Sequence, residues 1–187
     1  MAKRLDQVLV IDVESTCWAG APPDGQISEI IEIGLCTIDA DRLERLEKRS
    51  FLVQPVKSEI SSFCTELTTL TAEQFTGAGS FADAARVLKK SYHAKDRLWA
   101  SWGDYDRRQF ERMCLEFEVG NPFGPGHLNV KTLFAIATGS HHELGLEGAC
   151  KKLGMDMTGT HHRGHDDAWN IAGVLCWLLS RIRDKSS

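Results

Sequence analysis

The segment THHRGHDDAWN, residues 160–170, places three histidines and two aspartates at the start of an apolar helical pattern. Imidazole titrates near neutral pH and can accept a proton from water, whereas carboxylates bind hard divalent cations. Asp167 lies one helical turn before Ile171 and therefore faces the buried side of the helix, while Asp166 is rotated away and suits a capping role. The segment is either a base beside a metal ligand or a polar turn before a helix.

Two further acidic segments follow predicted strands. Asp12 and Glu14 lie two residues apart at the end of the first apolar run, QVLVIDVE, so both carboxylates project from the same face of a sheet. Two like charges held together repel unless a cation or a bound proton lies between them. Asp104 and Asp106 follow a later apolar run, where either aspartate also suits the start of a helix.

The hydrophobic pattern predicts an α/β domain with a mixed sheet. Three runs rich in β-branched or alternating apolar residues predict strands, namely QVLVIDV, ISEIIEIGLCTID and LEKRSFLVQP. The short link between the second and the third indicates an antiparallel hairpin. A fourth strand, RLWASW, follows two helical segments that begin at Ser61. Because strands and helices alternate in this way, helices are expected to flank the sheet.

Four helical segments follow the fourth strand. The first of them is DRRQFERMCLEF, the next two cover residues 129–138 and 143–153, and Gly154 ends the third. The last helix is predicted to begin near Asp166. Its apolar residues recur at helical spacing and are expected to be buried: Ala168, Ile171, Leu175, Leu178 and Ile182.

Length and composition indicate a single globular domain over residues 1–187. Hydrophobic residues make up 42% of the chain and charged residues 26%, and the net charge of −4 excludes a global basic field that would attract nucleic acid. Six cysteines form no C-x-x-C pair, no secretory leader is seen, and no run approaches the ~18 apolar residues of a membrane span. A soluble, cytoplasmic protein without a membrane partner is expected; the sequence leaves its oligomeric state open.

Three segments together resemble the motifs of the DEDD superfamily of 3′→5′ exonucleases, in its histidine-containing, DnaQ-like subgroup. VLVIDVESTCW resembles the first motif, with Asp12 and Glu14 as its acids. SWGDYDRRQF resembles the second, in which the acid follows an aromatic residue and precedes a hydrophobic residue by four positions. Asp106, four residues before Phe110, fits that position; Asp104 does not, and is expected to be a neighbour of the site.

HRGHDDAWNIA resembles the third motif, a histidine followed five positions later by an aspartate. His162 and Asp167 fit this spacing, whereas His161 would pair with Asp166. His165 matches no catalytic position of the family and is expected to face solvent. The segment VQPVKSEISSFCTELTTLTAEQ resembles the RNA-trimming branch, which includes the exonucleases of histone-mRNA ends and small RNAs.

The resemblance implies a ribonuclease H-like fold with a mixed sheet of about five strands, the first three antiparallel, flanked by helices. It also implies hydrolysis of phosphodiester bonds at 3′ ends, with release of nucleoside 5′-monophosphates. Two Mg²⁺ or Mn²⁺ ions would clamp the attacking and leaving oxygens, and a histidine would act as general base. The implied metal ligands are Asp12, Glu14, Asp106 and Asp167, and the implied base is His162.

The implied substrate is a single-stranded nucleic acid or a 3′ overhang, with RNA preferred. In the family the backbone near Ser15 and Thr16 would hold the terminal nucleotide, which His162 would also contact. Trp18 and Trp102 are the aromatic residues nearest to the motifs. They either stack on a base, a contact of ~1–3 kcal/mol, or pack in the core.

Three alternative hypotheses come from different classes of protein. The first is an exonuclease of the same fold that acts mainly on DNA. The second is a catalytically silent module of this fold that binds RNA or a protein. The third is a zinc protein that uses the histidines of residues 161–165 with Cys150 or Cys176, which is disfavoured because adjacent histidines rarely reach one tetrahedral ion.

Overall fold

A computed structural model describes residues 3–184 and contains one five-stranded mixed sheet. The strands are β1 (Arg4–Ser15), β2 (Ile30–Asp39), β3 (Glu44–Leu52), β4 (Arg97–Ser101) and β5 (His127–Asn129). Their spatial order is β3-β2-β1-β4-β5. The pairs β1–β2 and β2–β3 are antiparallel, whereas β1–β4 and β4–β5 are parallel. The predicted mixed sheet with three antiparallel strands at its start is therefore confirmed.

Local capping explains where several helices begin and end. Ser80 accepts a hydrogen bond from the Asp83 N–H (3.2 Å) at the start of one helix, and Asn129 accepts one from the Thr132 N–H (2.9 Å) at another. Gly154 takes a left-handed φ of 68° and ends a third, as predicted. The helices are α1 (Ser62–Thr68), α2 (Phe81–Ser91), α3 (Tyr105–Glu116), α4 (Val130–Ala137), α5 (Leu146–Leu153) and α6 (Gly164–Asp184), with a 3₁₀ turn at Ala72–Phe75.

The two faces of the sheet carry separate apolar clusters, and strand alternation decides which side chains join each of them. Val8 and Val10 of β1 pack with α4, α5 and α6, whereas Leu9 and Ile11 pack with α2 and α3 on the opposite face. Asp12 and Glu14 continue the alternation of Val8 and Val10 along β1 and therefore lie on the same face, under the start of α6. Within the described range, no helix is long and apolar enough to cross a membrane.

Three details differ from the sequence-based expectations. The strand β5 was not located, because a segment of three residues is too short to show alternation. The helix α6 begins at Gly164, two residues before the expected start. Ile182 is 56% exposed, because burial along α6 ends at Leu178 and the apolar stripe continues one turn beyond the packed surface.

The start of α6 lies directly on the backbone of the sheet. A Cβ atom on Gly34 would lie 1.9 Å from the carbonyl carbon of Gly164, and one on Gly164 would lie 3.0 Å from the Asp12 carbonyl oxygen. Only glycine fits at Gly34 without moving the helix or the strand. This contact places the first turn of α6 over the acidic end of β1.

Replacing Gly34 with alanine should displace α6 from the sheet. We expect Gly34→Ala to lower the free energy of unfolding by at least the roughly 1–3 kcal/mol typical of overpacking, measured by urea denaturation. Gly148→Ala is the matched control, because the nearest atom to its new Cβ is Leu144 Cβ at 3.7 Å. The control should gain about 0.5–1 kcal/mol of helix stability. Equal stability of the two variants would contradict the close approach.

Candidate active site

The ends of three elements meet in one cleft with a volume of about 400 Å³. The end of β1 contributes two acidic residues, the first turn of α3 contributes one, and the loop and first turn of α6 contribute the rest. All five residues predicted as catalytic line this cleft: Asp12, Glu14, Asp106, His162 and Asp167. The structure therefore brings the four carboxylates and the histidine together, although 155 positions separate Asp12 from Asp167.

The carboxylates form a donor set that fits hard divalent cations. One oxygen each from Asp12, Glu14 and Asp167 lies within 4.8 Å of the other two. Asp106, in the first turn of α3, also lines the cleft, and its Oδ1 accepts a hydrogen bond from the Val13 N–H (2.9 Å) that fixes the carboxylate beside β1. Oxygen ligands of this kind suit Mg²⁺ and Mn²⁺ better than zinc.

Burial and the clustered charges raise the pKa values of three carboxyl groups of the cleft, those of Asp12, Glu14 and Asp106. Burial, followed by the charges of Asp167 and Glu32, raises the pKa of Glu14 to about 8. Burial also raises the pKa of Asp106 to about 6. The pKa of Asp12 lies well above its usual value because of burial and the charges of Asp106 and Glu14. Bound cations would relieve this repulsion and hold the carboxylates ionised.

Side chains of α6 fix the loop that precedes it. Asp166 Oδ2 accepts a hydrogen bond from the Thr160 N–H (2.8 Å), and the Asn170 amide bonds both to the N–H (3.0 Å) and to the carbonyl (3.1 Å) of Thr158. Asp166 is buried and also pairs with Lys48. The expectation that Asp166 caps the helix on an exposed side is therefore wrong, because its carboxylate turns back onto the loop.

His161 and His162 both lie beside the Asp167 carboxylate. The Asp167 Oδ2 atom accepts a hydrogen bond from the His162 N–H (2.9 Å), and His161 Nδ1 lies 3.0 Å from both carboxylate oxygens. Burial and the neighbouring His161 lower the pKa of His162, although the Asp167 charge opposes them. A lowered pKa keeps the imidazole of His162 neutral near pH 7, which is the form that accepts a proton.

Glu32 is a buried carboxylate next to the cleft that sequence reasoning did not select. It lies opposite Glu14 in the β1–β2 register and accepts hydrogen bonds from Ser50 Oγ (2.6 Å) and the Gly164 N–H (3.1 Å). Arg163 Nε lies 3.1 Å from Oε2 and His165 Nδ1 lies 2.8 Å from Oε1. His165 is thus partly buried against Glu32, which overturns the expectation that it faces solvent.

The hydrogen bonds to Glu32 decide its ionisation. Burial raises its pKa, but the hydrogen bonds from Ser50, Arg163 and His165 outweigh burial and hold the pKa below the usual value. Glu32 therefore stays ionised and anchors the start of α6. The signal in the sequence is a single glutamate inside the apolar run IIEIG, which a buried strand accepts only when its carboxylate has partners.

The residues predicted to contact the terminal nucleotide occupy different positions. Ser15 lines the cleft, and its buried hydroxyl has no hydrogen-bond partner among residues 3–184. Thr16 is fully buried: its backbone N–H donates to the carbonyl of Glu29 (2.8 Å), and its hydroxyl donates to the carbonyl of Ile27 (3.0 Å). The backbone donor of Thr16 is therefore bonded within the chain and serves to fix the loop after β1.

The two tryptophans also differ from each other. Trp102 lines the cleft, and its indole is held by a hydrogen bond from Nε1 to the Leu144 carbonyl (3.2 Å) and by contact with the Phe134 ring. Trp18 lies in an adjacent depression beside Arg112. Sequence reasoning did not select the other residues of the cleft wall, which are dispersed and apolar or small: Cys17, Leu67, Tyr105, Gly145 and Leu146.

This geometry agrees with comparisons with known proteins. A family model described as an exonuclease, RNase T, matches residues 9–175. The chain belongs to this exonuclease family. The match confirms the family that the three motifs indicated, and exonucleases of this family generally use divalent metal ions.

Relatives of this chain include eukaryotic and bacterial proteins. Human 3′-5′ exoribonuclease 1 is 28% identical over 198 residues, which cover 96% of this chain and 56% of the human protein. The probable 3′-5′ exonuclease KapD of Bacillus subtilis (strain 168) is 28% identical over 170 residues, which cover 87% of this chain and 80% of KapD. The chain therefore spans little more than half the length of the human relative.

Solved structures share the fold of this chain. The nuclease domain of 3′hExo, a DEDDh family member bound to rAMP, has a TM-score of 0.82 at 24% identity, over 97% of this chain and 95% of that domain. A 3′-exonuclease solved in specific recognition of the histone mRNA stem-loop has a TM-score of 0.82 at 24% identity, over 96% and 65%. These similarities confirm the predicted ribonuclease H-like α/β architecture.

The raised pKa of Glu14 predicts how stability depends on pH when divalent ions are removed. The pKa is about 8 in the folded protein against an ordinary value of 4.5, so the folded state binds more protons between these values. The contribution of Glu14 to the free energy of unfolding is therefore fully present below pH 4.5 and should be lost as the pH rises through about 8. We expect the Tm, measured with a chelator present, to fall across this interval, and saturating Mg²⁺ or Mn²⁺ to restore it.

The variant Glu14→Gln is the control for this prediction, because glutamine does not ionise. Its Tm should depend less on pH than the Tm of the unchanged protein, and it should gain less from added divalent ion. A pH profile in chelator that is identical for both proteins would show that Glu14 does not carry the effect.

Proposed function

We propose that the protein is a 3′→5′ exonuclease that removes nucleotides from the 3′ end of RNA and releases nucleoside 5′-monophosphates. The single observation that carries the proposal is the convergence of four carboxylates and a histidine in one open cleft. The relatives and the family model support the reaction class. The alternative is an exonuclease of the same fold that acts mainly on DNA.

The acidic residues and His162 divide the chemistry between them. Asp12, Glu14, Asp106 and Asp167 would hold two Mg²⁺ or Mn²⁺ ions, which supply a positive clamp for the attacking and leaving oxygens. The neutral imidazole of His162, at the mouth of the cleft, takes the proton from the attacking water. The hydrogen bond from its backbone N–H to Asp167 keeps this base beside the metal ligands.

The walls of the cleft suit a single terminal nucleotide. Leu67, Trp102 and Leu146 offer apolar surface to a base, and the exposed ring of Tyr105 stands at the rim. Ser15 also lines this cleft, with its hydroxyl buried in the wall. Trp18 lies outside this cleft and would meet a neighbouring nucleotide instead of the terminal one.

The preference for RNA rests on the relatives and not on the cleft itself. Human 3′-5′ exoribonuclease 1 is named as an enzyme that acts on RNA, and a structurally similar 3′-exonuclease was solved with a histone mRNA stem-loop. A net charge of −4 provides no general attraction for a polyanion. Cations bound in the cleft would instead attract the phosphates of a single strand or of a 3′ overhang whose end enters the cleft.

The single domain over residues 1–187 and the cytoplasmic location stay predictions.

Substitution of the metal ligands should abolish the activity without unfolding the protein. We expect Asp12→Asn and Asp167→Asn to release no nucleotide above background from 5′-labelled single-stranded RNA in Mg²⁺ or Mn²⁺, with an unchanged circular dichroism spectrum. His162→Ala should slow the reaction by the ~10²–10⁴-fold that the loss of a general base costs. His161→Ala should retain more activity than His162→Ala, and the reverse order would contradict the assignment of the base.

Matched DNA and RNA oligomers test the substrate class. The same 5′-labelled sequence is prepared as RNA and as DNA, each single-stranded and with a 3′ overhang, and is digested in Mg²⁺ and in Mn²⁺. Faster shortening of RNA supports the proposal, and faster shortening of DNA supports the alternative. Failure to shorten any of the four substrates would favour a silent binding module.

A further inference from the structure

We propose that His161, His162 and Asp167 form a binding site for one transition-metal ion of the zinc class, separate in its donors from the site for hard ions. This site goes beyond the proposed exonuclease reaction, which uses oxygen ligands and leaves His161 without a role. Its occupation would be inhibitory, because it engages the proposed base and one of the carboxylates.

The three side chains present their ligand atoms at short range. One ligand atom each from His161, His162 and Asp167 lies within 4.8 Å of the other two. The Nδ1 atom of His161 is already 3.0 Å from both carboxylate oxygens, and the two imidazole rings stack at 4.0 Å with an angle of 24°. Tetrahedral zinc, with bonds of about 2.0–2.2 Å, separates its ligand atoms by roughly 3.4 Å, so the two imidazole rings must rotate out of their stack to direct both lone pairs at one ion.

The backbone at His162 explains how two adjacent histidines reach one point. In an extended chain, neighbouring side chains point to opposite sides, so adjacent histidines would diverge. His162 takes a left-handed φ of 63°, which breaks this alternation and turns its ring onto that of His161. The hydrogen bond from its N–H to Asp167 Oδ2 (2.9 Å) holds this conformation. This conformation removes the usual reason why adjacent histidines do not share an ion.

The donor set and its exposure select the type of ion. Two imidazoles and one carboxylate favour zinc, cobalt, nickel and copper, whereas Mg²⁺ prefers oxygen ligands alone. The side chain of His161 is 44% exposed, which gives an ion access from solvent and leaves the fourth position to water. Cys150 and Cys176 lie outside the cleft and add no ligand.

The two kinds of ion compete for one residue. Asp167 belongs to the histidine site and also to the acidic cluster with Asp12 and Glu14. A zinc ion held by the histidines therefore draws the Asp167 carboxylate away from that cluster and blocks the lone pair with which His162 accepts a proton. Zinc would then inhibit the exonuclease even when Mg²⁺ is present in excess.

Binding of the metal alone, without nucleic acid, tests the proposal independently of the exonuclease reaction. Zn²⁺ is titrated into the metal-free protein by calorimetry, and Co²⁺ is titrated as a spectroscopic probe, since tetrahedral Co²⁺ with nitrogen ligands absorbs in the visible range. The variants are His161→Asn and His162→Asn. The matched control is His141→Asn, which removes an exposed histidine from a different loop.

We expect one Zn²⁺ per chain for the unchanged protein and for His141→Asn. Both His161→Asn and His162→Asn should lose affinity by at least the roughly 10- to 100-fold that loss of a supporting residue costs at metal sites, and should lose the visible Co²⁺ bands. Undiminished Zn²⁺ affinity in His161→Asn would overturn the proposal, because the ion would then sit on the carboxylates. The absence of any Zn²⁺ binding by the folded, unchanged protein would overturn it equally, whatever the exonuclease assay shows.

Discussion

The contact between Gly34 and Gly164 is the constraint on which the cleft depends. It brings the backbone of α6 against the backbone of β2 with no side chain between them, and the Gly164 N–H donates to the buried carboxylate of Glu32. The start of a helix carries unpaired N–H groups and a partial positive charge, so a buried anion at this point is stabilising. The helix is thereby fixed in position and in rotation. Asp167, in its first turn, faces Asp12 and Glu14 as a consequence.

Glu14 and Glu32 show how partners, and not burial alone, set the state of a carboxylate. They are the same residue type, they lie opposite each other on β1 and β2, and both are buried. Hydrogen bonds from Ser50, Arg163 and His165 hold the pKa of Glu32 below its usual value despite burial, whereas burial, followed by the charges of neighbouring carboxylates, raises the pKa of Glu14 to about 8. Glu32 is thus satisfied by partners within the fold, whereas Glu14 is surrounded by an excess of negative charge. This environment suits the role of cation ligand proposed for Glu14.

The residues that could be predicted are those whose position follows from local periodicity. The two-residue spacing predicts that Asp12 and Glu14 lie on one face of β1, and the helical phase predicts that Asp167 faces inward from α6. Both features hold in the structure. Features that depend on non-local packing could not be predicted, such as the anchoring role of Glu32 and the bonding of Thr16 to the segment before β2. The left-handed φ of His162 could not be predicted either, because few non-glycine residues adopt it and only the finished loop stabilises it.

His162, the proposed base, and Asp167, a proposed metal ligand, are tied together because acids and an amide of α6 hold the loop before it. Asp166, Asp167 and Asn170 each accept a hydrogen bond from a backbone N–H of the preceding loop, so that loop is held by the helix at three points. At Gly159, φ is +83° and a Cβ would collide with the Asp166 carboxylate, so glycine is required for the loop to lie this close. The distance from base to ligand is therefore set within α6 and its loop. The distance to the acids of β1 is set separately, by the contact between Gly34 and Gly164.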